Sequence, residues 1–135
     1  MTVTQAWTLS VSIDRPWQEV NDFLAVPENF PAWASGLGGN LRVRGDHYLV
    51  DGPDGVWQVR FTPPNRHGVL DHDVTAPDGT RTHNAMRVIP NRDGAEVLFT
   101  LLRHQGMTEE KFAADAAWVR RDLEALRTLL ETAPA

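Results

Sequence analysis

Between Met107 and Glu131 the apolar residues Phe112, Ala116, Val119, Leu123, Leu126 and Leu130 recur at gaps that alternate between four and three. At about 100° per residue this spacing gathers them into one stripe roughly 80° wide, with Arg120, Arg121, Glu124, Arg127 and Glu131 on the other side. The spacing predicts one long amphipathic helix. Thr108 is placed to cap its N-terminus, Glu109 and Glu110 suit the positive end of its dipole, Met107 can staple against Phe112, and Pro134 stands just past its end. Burial of the large stripe residues is worth about 8 to 15 kcal/mol gross, before chain entropy is subtracted. Helix propensity alone supplies far less, so the helix needs an apolar surface, and the rest of the chain has to provide it.

That surface reads as a sheet. From Val3 to Ile13, Trp7, Leu9, Val11 and Ile13 alternate with Thr8, Ser10 and Ser12, the mark of a strand with one buried face. Asp14-Arg15-Pro16 then opens a short helix, with Asp14 as its cap, Trp17, Val20, Phe23 and Leu24 on one side, and Pro27 as its stop. The segment from Pro27 to Ala34 is a further short helix or turn whose Phe30 and Trp33 need an apolar neighbour. The glycines Gly36, Gly38 and Gly39 precede a strand and read as a flexible connection, one that would let the helical segment before them move like a lid.

From Asn40 to His104, turn signals at Gly45-Asp46, Pro53-Asp54-Gly55, 65 to 68, Pro77-Asp78-Gly79 and 91 to 94 divide an antiparallel meander. The predicted strands run over 40 to 44, 47 to 52, 56 to 63, 68 to 76, 80 to 90 and 95 to 104. Alternation puts Leu41, Val43, Trp57, Val59, Phe61, Leu70, His72, Val74, Asn84, Met86, Val88, Val97, Phe99 and Leu101 on a dry face. Arg42, Arg44, Gln58, Arg60, Thr62, Asp71, Asp73, Thr75, His83, Arg87 and Glu96 fall on the wet one, while Leu98 and Leu102 point outward. A sheet covered on one side only has this pattern.

A chain of 135 residues, 41% hydrophobic and 23% charged, suits one globular domain. A formal charge of -5 with scattered arginines argues against a nucleic-acid partner, and the absence of cysteine excludes disulfides, thiolate metal sites and a cysteine nucleophile. No apolar run approaches the roughly 20 residues of a membrane span, and the N-terminus has no basic segment followed by an apolar one, so a cytoplasmic location without membrane insertion is expected.

The order strand, two short helices, six strands and a long closing helix resembles the START-like or SRPBCC superfamily, which includes the birch pollen allergen, and in particular its polyketide cyclase/dehydrase-like branch. The resemblance lies in the opening strand running into Asp14-Arg15-Pro16, in the segment Pro27-Glu28-Asn29-Phe30-Pro31-Ala32-Trp33, and in the closing helix. It covers nearly the whole chain. It implies an α+β helix-grip fold, a curved seven-stranded antiparallel sheet wrapped round the long helix, with a cavity between them. Members bind lipids, sterols, polyketides, phenolic compounds or quinones, and some are cyclases, hydrolases or co-chaperones. No catalytic motif defines the superfamily, so the resemblance transfers no catalytic residue.

Asp71, His72 and Asp73 look at first like a metal or acid-base cluster, but strand parity sends the aspartates to one face and His72 to the other. No metal and no cofactor is expected. His72 then stands among apolar residues, either as a core histidine satisfied by one hydrogen bond or as a group that orients a ligand or moves a proton. Asn84 on the next strand needs a partner as well, since an unpaired buried amide costs roughly 1 to 3 kcal/mol. These are the candidate catalytic residues. A few fixed polar groups in an oily space are typical of small-molecule sites. The candidate ligand-binding set is Phe30, Trp33, Trp57, Leu70, His72, Asn84, Met86, Phe99, Phe112 and Val119.

Trp7 reads as core; Trp33 and Trp57 either fill the space under the helix or line a cavity. Trp118 lies roughly 120° off the stripe, beside Leu129, and reads as half-buried. Arg103 stands near the end of the inner face, as a solvated rim residue or a partner for an anionic ligand group. There is no GxSxG elbow, phosphate-binding glycine loop, dinucleotide fingerprint or HExxH helix. The leading expectation is binding of a small hydrophobic, aromatic or polycyclic molecule between sheet and long helix. The alternatives are a polyketide cyclase or dehydratase, with His72 as acid-base group and Asn84 polarising a carbonyl, and a co-chaperone-like interaction module.

Overall fold

Seven strands form one antiparallel sheet in the order β1-β7-β6-β5-β4-β3-β2 in the computed structural model, which describes residues 2 to 35 and 39 to 133. The strands are β1 (Ala6–Ile13), β2 (Arg42–Arg44), β3 (His47–Gly52), β4 (Gly55–Phe61), β5 (His72–Thr75), β6 (Arg81–Asn91) and β7 (Gly94–Leu102). Helix α1 (Trp17–Leu24) and a 3-10 turn (Pro27–Ala32) follow β1, and the long helix α2 (Glu109–Thr132) closes the chain. This is the expected α+β helix-grip arrangement. Gly36, Gly38 and Pro134, which the sequence assigns to a flexible connection and a helix stop, lie outside the described residues.

Helix α2 forms where its stripe requires. Thr108 accepts a hydrogen bond from the Lys111 amide at 3.1 Å, so the cap is as expected. Phe112, Ala116, Leu123, Leu126 and Leu130 are buried, and the helix packs on β1 and β7. Its far end has no basic residue of its own in the last turn. Arg15 fills that place from the β1–α1 connection: its Nε donates to the Leu130 carbonyl at 2.9 Å and its Nη2 to that of Ala133. The Asp14 amide donates to Glu131 Oε2 at 2.8 Å, and Arg120 Nη1 donates to the Ser10 carbonyl at 2.6 Å. The helix is thus fixed to β1 along its length and at its end.

Several expectations need correction. Asp14 does not cap α1: the N-cap is Pro16, which has no side chain to offer, and Asp14 turns its amide to Glu131 instead. Val43 is 66% exposed, because β2 is an edge strand that α2 does not cover. Trp7 is not core; it is 41% exposed, with its ring tilted over Phe112 at 5.0 Å, near the open end of the sheet. The predicted strand over 68 to 76 shortens to His72–Thr75. Before it the chain keeps the Val69–Arg87 bridge and the bonds Leu70 N to Met86 O and Val88 N to Gly68 O on the β6 side, and Thr62 N to Asp71 O on the other. The reason is Asn65, whose side chain binds the Pro63 and Val69 carbonyls and the His67 and Val69 amides and so holds a tight loop. Gly68 has a φ of 72° inside that loop, and any side chain there would collide with the Val88 carbonyl.

Truncation of the stripe tests this packing. Leu123→Ala and Leu126→Ala, at fully buried positions, are each expected to cost about 2 to 5 kcal/mol in chemical denaturation. Leu129→Ala, on the exposed side of α2, should cost under about 1 kcal/mol.

Candidate functional site

Because α2 rests on β1 and β7, the curved middle of the sheet is left for other groups to cover. The 3-10 turn supplies Phe30 and Trp33, both buried, packed edge to face at 5.6 Å. Proline at the start of the turn and again inside it fixes the backbone that carries them. Between this turn, α2 and β5–β7 remains a chamber of about 140 Å³, lined by Phe30, Trp33, Ala34, His72, Val74, Asn84, Phe99, Val119 and Asp122. A wider cleft of about 610 Å³ opens between the β6–β7 end of the sheet and the first turns of α2. Its walls include Trp57, Leu101, His104, Met107, Phe112 and Trp118, and Asn84, Phe99 and Val119 line both spaces.

The inner face of β5 carries His72 at 5% exposure, as strand parity requires. Its ring sits among Phe30 (5.6 Å), Phe61 (5.9 Å) and Phe99 (6.1 Å). The Leu70 carbonyl, 3.2 Å from Nδ1, can only accept, so Nδ1 carries the proton. Nε2 is left with a lone pair, to which the Asn84 amide donates from 3.4 Å, across the His72–Asn84 register pair. Burial pushes the imidazole below its ordinary 6.5, against the raising effect of its bond to Leu70, and the ring is neutral at neutral pH. The flanking aspartates face outward. Asp71 takes both Arg87 Nε (3.0 Å) and Nη2 (2.7 Å), which hold its carboxyl below the usual range, and Asp73 meets His83 Nδ1 at 2.6 Å.

Asp122 is the site residue that sequence reasoning missed. It is 9% exposed on α2, and its Oδ1 accepts from the Ser35 hydroxyl (2.6 Å) and amide (3.3 Å). Burial raises its carboxyl above the ordinary 3.8, opposed by the Ser35 bonds and by the Arg121 charge. The signal was weak: Asp122 stands three residues after Val119 and four before Leu126, but at about 100° per residue it falls on the flank of the apolar stripe, beyond its edge at Leu126.

Of the candidate ligand-binding residues, Phe30, Trp33, His72, Asn84, Phe99 and Val119 meet around the chamber, while Trp57 and Phe112 stand in the cleft. Leu70 and Met86 belong to the packed core and line neither space. The Trp57 indole lies over Gly52, where any side chain would collide with it. Arg103 reaches neither hollow: it donates to the Met107 carbonyl (2.9 Å) and to Gln5 Oε1 (3.2 Å), bracing the β7–α2 connection. Trp118 is 43% exposed, with the Arg121 guanidinium over its ring at 4.8 Å. Among the described residues no helix is long and apolar enough to cross a membrane.

No family model matches the chain, and no curated protein matches it. Solved structures do. An uncharacterised protein from Bacillus thuringiensis is 14% identical, with 93% of this chain and 98% of that one covered and a TM-score of 0.74. The Aha1 dimer from Colwellia psychrerythraea is 13% identical, with 97% and 99% covered and a TM-score of 0.72. DynU16, a protein in the dynemicin biosynthetic locus, is 18% identical with a TM-score of 0.71; 94% of this chain is covered but only 47% of that one. At these identities the likeness shows the fold alone.

The two buried ionisable groups give opposite pH signatures. His72 has its folded pKa below 6.5, so its contribution to stability is complete above that value and is lost as pH falls below it. His72→Leu should flatten the acid limb of the melting temperature below about 6.5. Asp122 has its folded pKa above 3.8, so its contribution is complete below that value and is lost as pH rises through the folded pKa. Asp122→Asn, which can still accept from Ser35, should remove that decline and raise the melting temperature at pH 7.

Proposed function

We propose that the protein binds a small hydrophobic molecule, aromatic or polycyclic, in the chamber and cleft between the sheet and α2. The observation that carries this reading is that the two hollows adjoin: Asn84, Phe99 and Val119 line both, and a ligand reaching past them would extend from the inner space into the outer. An apolar cavity of about 150 Å³ holds a benzene ring, which matches the chamber's 140 Å³. The wider cleft then has room for further rings or a chain. Aromatic walls bind flat ligands by dispersion and edge contacts, and His72 and Asn84 offer polar groups that fix orientation.

A second reading is an enzyme of the cyclase or dehydratase type, favoured by His72, whose Nε2 lone pair is held without charge in a water-poor space. The presence of the fold in a protein of the dynemicin biosynthetic locus is in keeping with it. An interaction module would use the exposed Trp118 and Leu129. The open cleft that Trp118 lines favours a small molecule over a protein partner.

Val119 separates the two readings of the gap, as binding space or as incidental looseness, because it stands where chamber and cleft meet. The wild type should bind a neutral polycyclic fluorophore such as pyrene at one molecule per chain, with enhanced emission. Val119→Trp fills the junction, and should abolish this binding for a cost in stability of about 1 to 3 kcal/mol. Equal binding by a folded Val119→Trp variant would locate the ligand elsewhere.

A further inference from the structure

The chamber has an electrostatic character that its apolar walls conceal. Of its lining residues, one carries an acid, Asp122, and none is lysine or arginine. The neighbouring cations do not line the chamber: Arg121 lies over the Trp118 ring at 4.8 Å, its charge reaching Asp122 without an ion pair among the described residues, and Lys111, at the cleft, meets Asp115 Oδ1 at 2.5 Å. Both Ser35 donors go to Asp122 Oδ1, and among the described residues no hydrogen bond reaches Oδ2. His72 is neutral, so it opposes no positive charge. Phe30, Trp33 and Phe99 supply aromatic lining.

We infer that the site selects hydrophobic amines, ligands whose protonated nitrogen pairs with the Asp122 carboxylate while an aromatic body occupies the chamber and extends into the cleft. This rests on the hydrophobic-ligand reading above and narrows it. An ammonium group placed against Oδ2 gains a charge-assisted hydrogen bond in a space whose lining is aromatic and holds no other cation. The carboxylate in turn gains a counter-charge that the empty chamber does not supply. A carboxylate ligand meets the reverse situation, since it would bring a second negative charge beside Asp122 with no cation among the lining residues to receive it. Fatty acids and aromatic acids are therefore disfavoured by charge even where their shape fits.

Three naphthalenes of nearly equal size test this by calorimetry at pH 7: 2-naphthylmethylamine, 2-naphthalenemethanol and 2-naphthoate. The expected order is amine, alcohol, acid, with the amine bound about tenfold more tightly than the alcohol, as one charged hydrogen bond implies. Asp122→Asn should bring the amine-to-alcohol ratio to about one, with its fold verified by circular dichroism. Equal binding of amine and alcohol by the wild type, or tightest binding of the acid, overturns the amine inference and leaves the hydrophobic-ligand reading standing. Binding of none of the three overturns both.

Discussion

The packing of α2 against β1 and β7 is the contact on which the rest of the molecule depends. Leu123 and Leu126 are sealed from water there, and Arg15, Glu131 and Arg120 tie the helix to β1 and the turn that follows it. A helix fixed to one side of a twisted sheet cannot also follow the other side, because the strands rotate away from it. The middle of the sheet is therefore roofed by the 3-10 turn, with Phe30 and Trp33, and the join between roof and helix is imperfect. The chamber is that imperfection, and its position follows from where the helix is anchored.

Polar groups gather at the join for the same reason. His72 and Asn84 project from adjacent strands at a register pair, and Asp122 reaches from α2 toward Ser35 at the end of the roof. Each has at least one partner, so the interior tolerates it. Each also keeps some hydrogen-bonding capacity toward the hollow: the second carboxylate oxygen of Asp122, the carbonyl of the Asn84 amide, and the Nε2 lone pair of His72, which the long 3.4 Å contact occupies only weakly. A core built only for stability would have filled this space with leucine and valine. Trp57, which lines the cleft, lies over Gly52, and the indole keeps its place only because the facing strand has no side chain there.

Much of this was legible in the sequence, and the exceptions have physical causes. The helix, the succession of strands along the chain and the inward turn of His72 follow from period and turn signals, since side chains alternate strictly along a strand and recur every 3.6 residues or so in a helix, whereas one sheet wrapped round the helix is what the resemblance implies. Val43 is exposed because alternation reports which face a residue occupies and says nothing of how far α2 extends over that face, whereas Trp7 does meet Phe112 of α2 but stands on an edge strand that leaves part of its ring open. The shortening of β5 depends on the hydrogen bonds of one side chain, Asn65, which no hydrophobic pattern records. Asp122 is not legible from period because it falls on the flank of the apolar stripe, and its burial depends on Ser35 folding over it, a contact that no helical pattern records.

A ligand-binding role requires that the space between the roof and α2 be open to a guest. A crystal of the protein under xenon pressure measures this directly, since xenon enters empty apolar cavities and scatters strongly. Xenon density among Phe30, Phe99 and Val119 is the predicted result. Diffraction that shows those side chains in mutual contact, with no xenon between them, would contradict it.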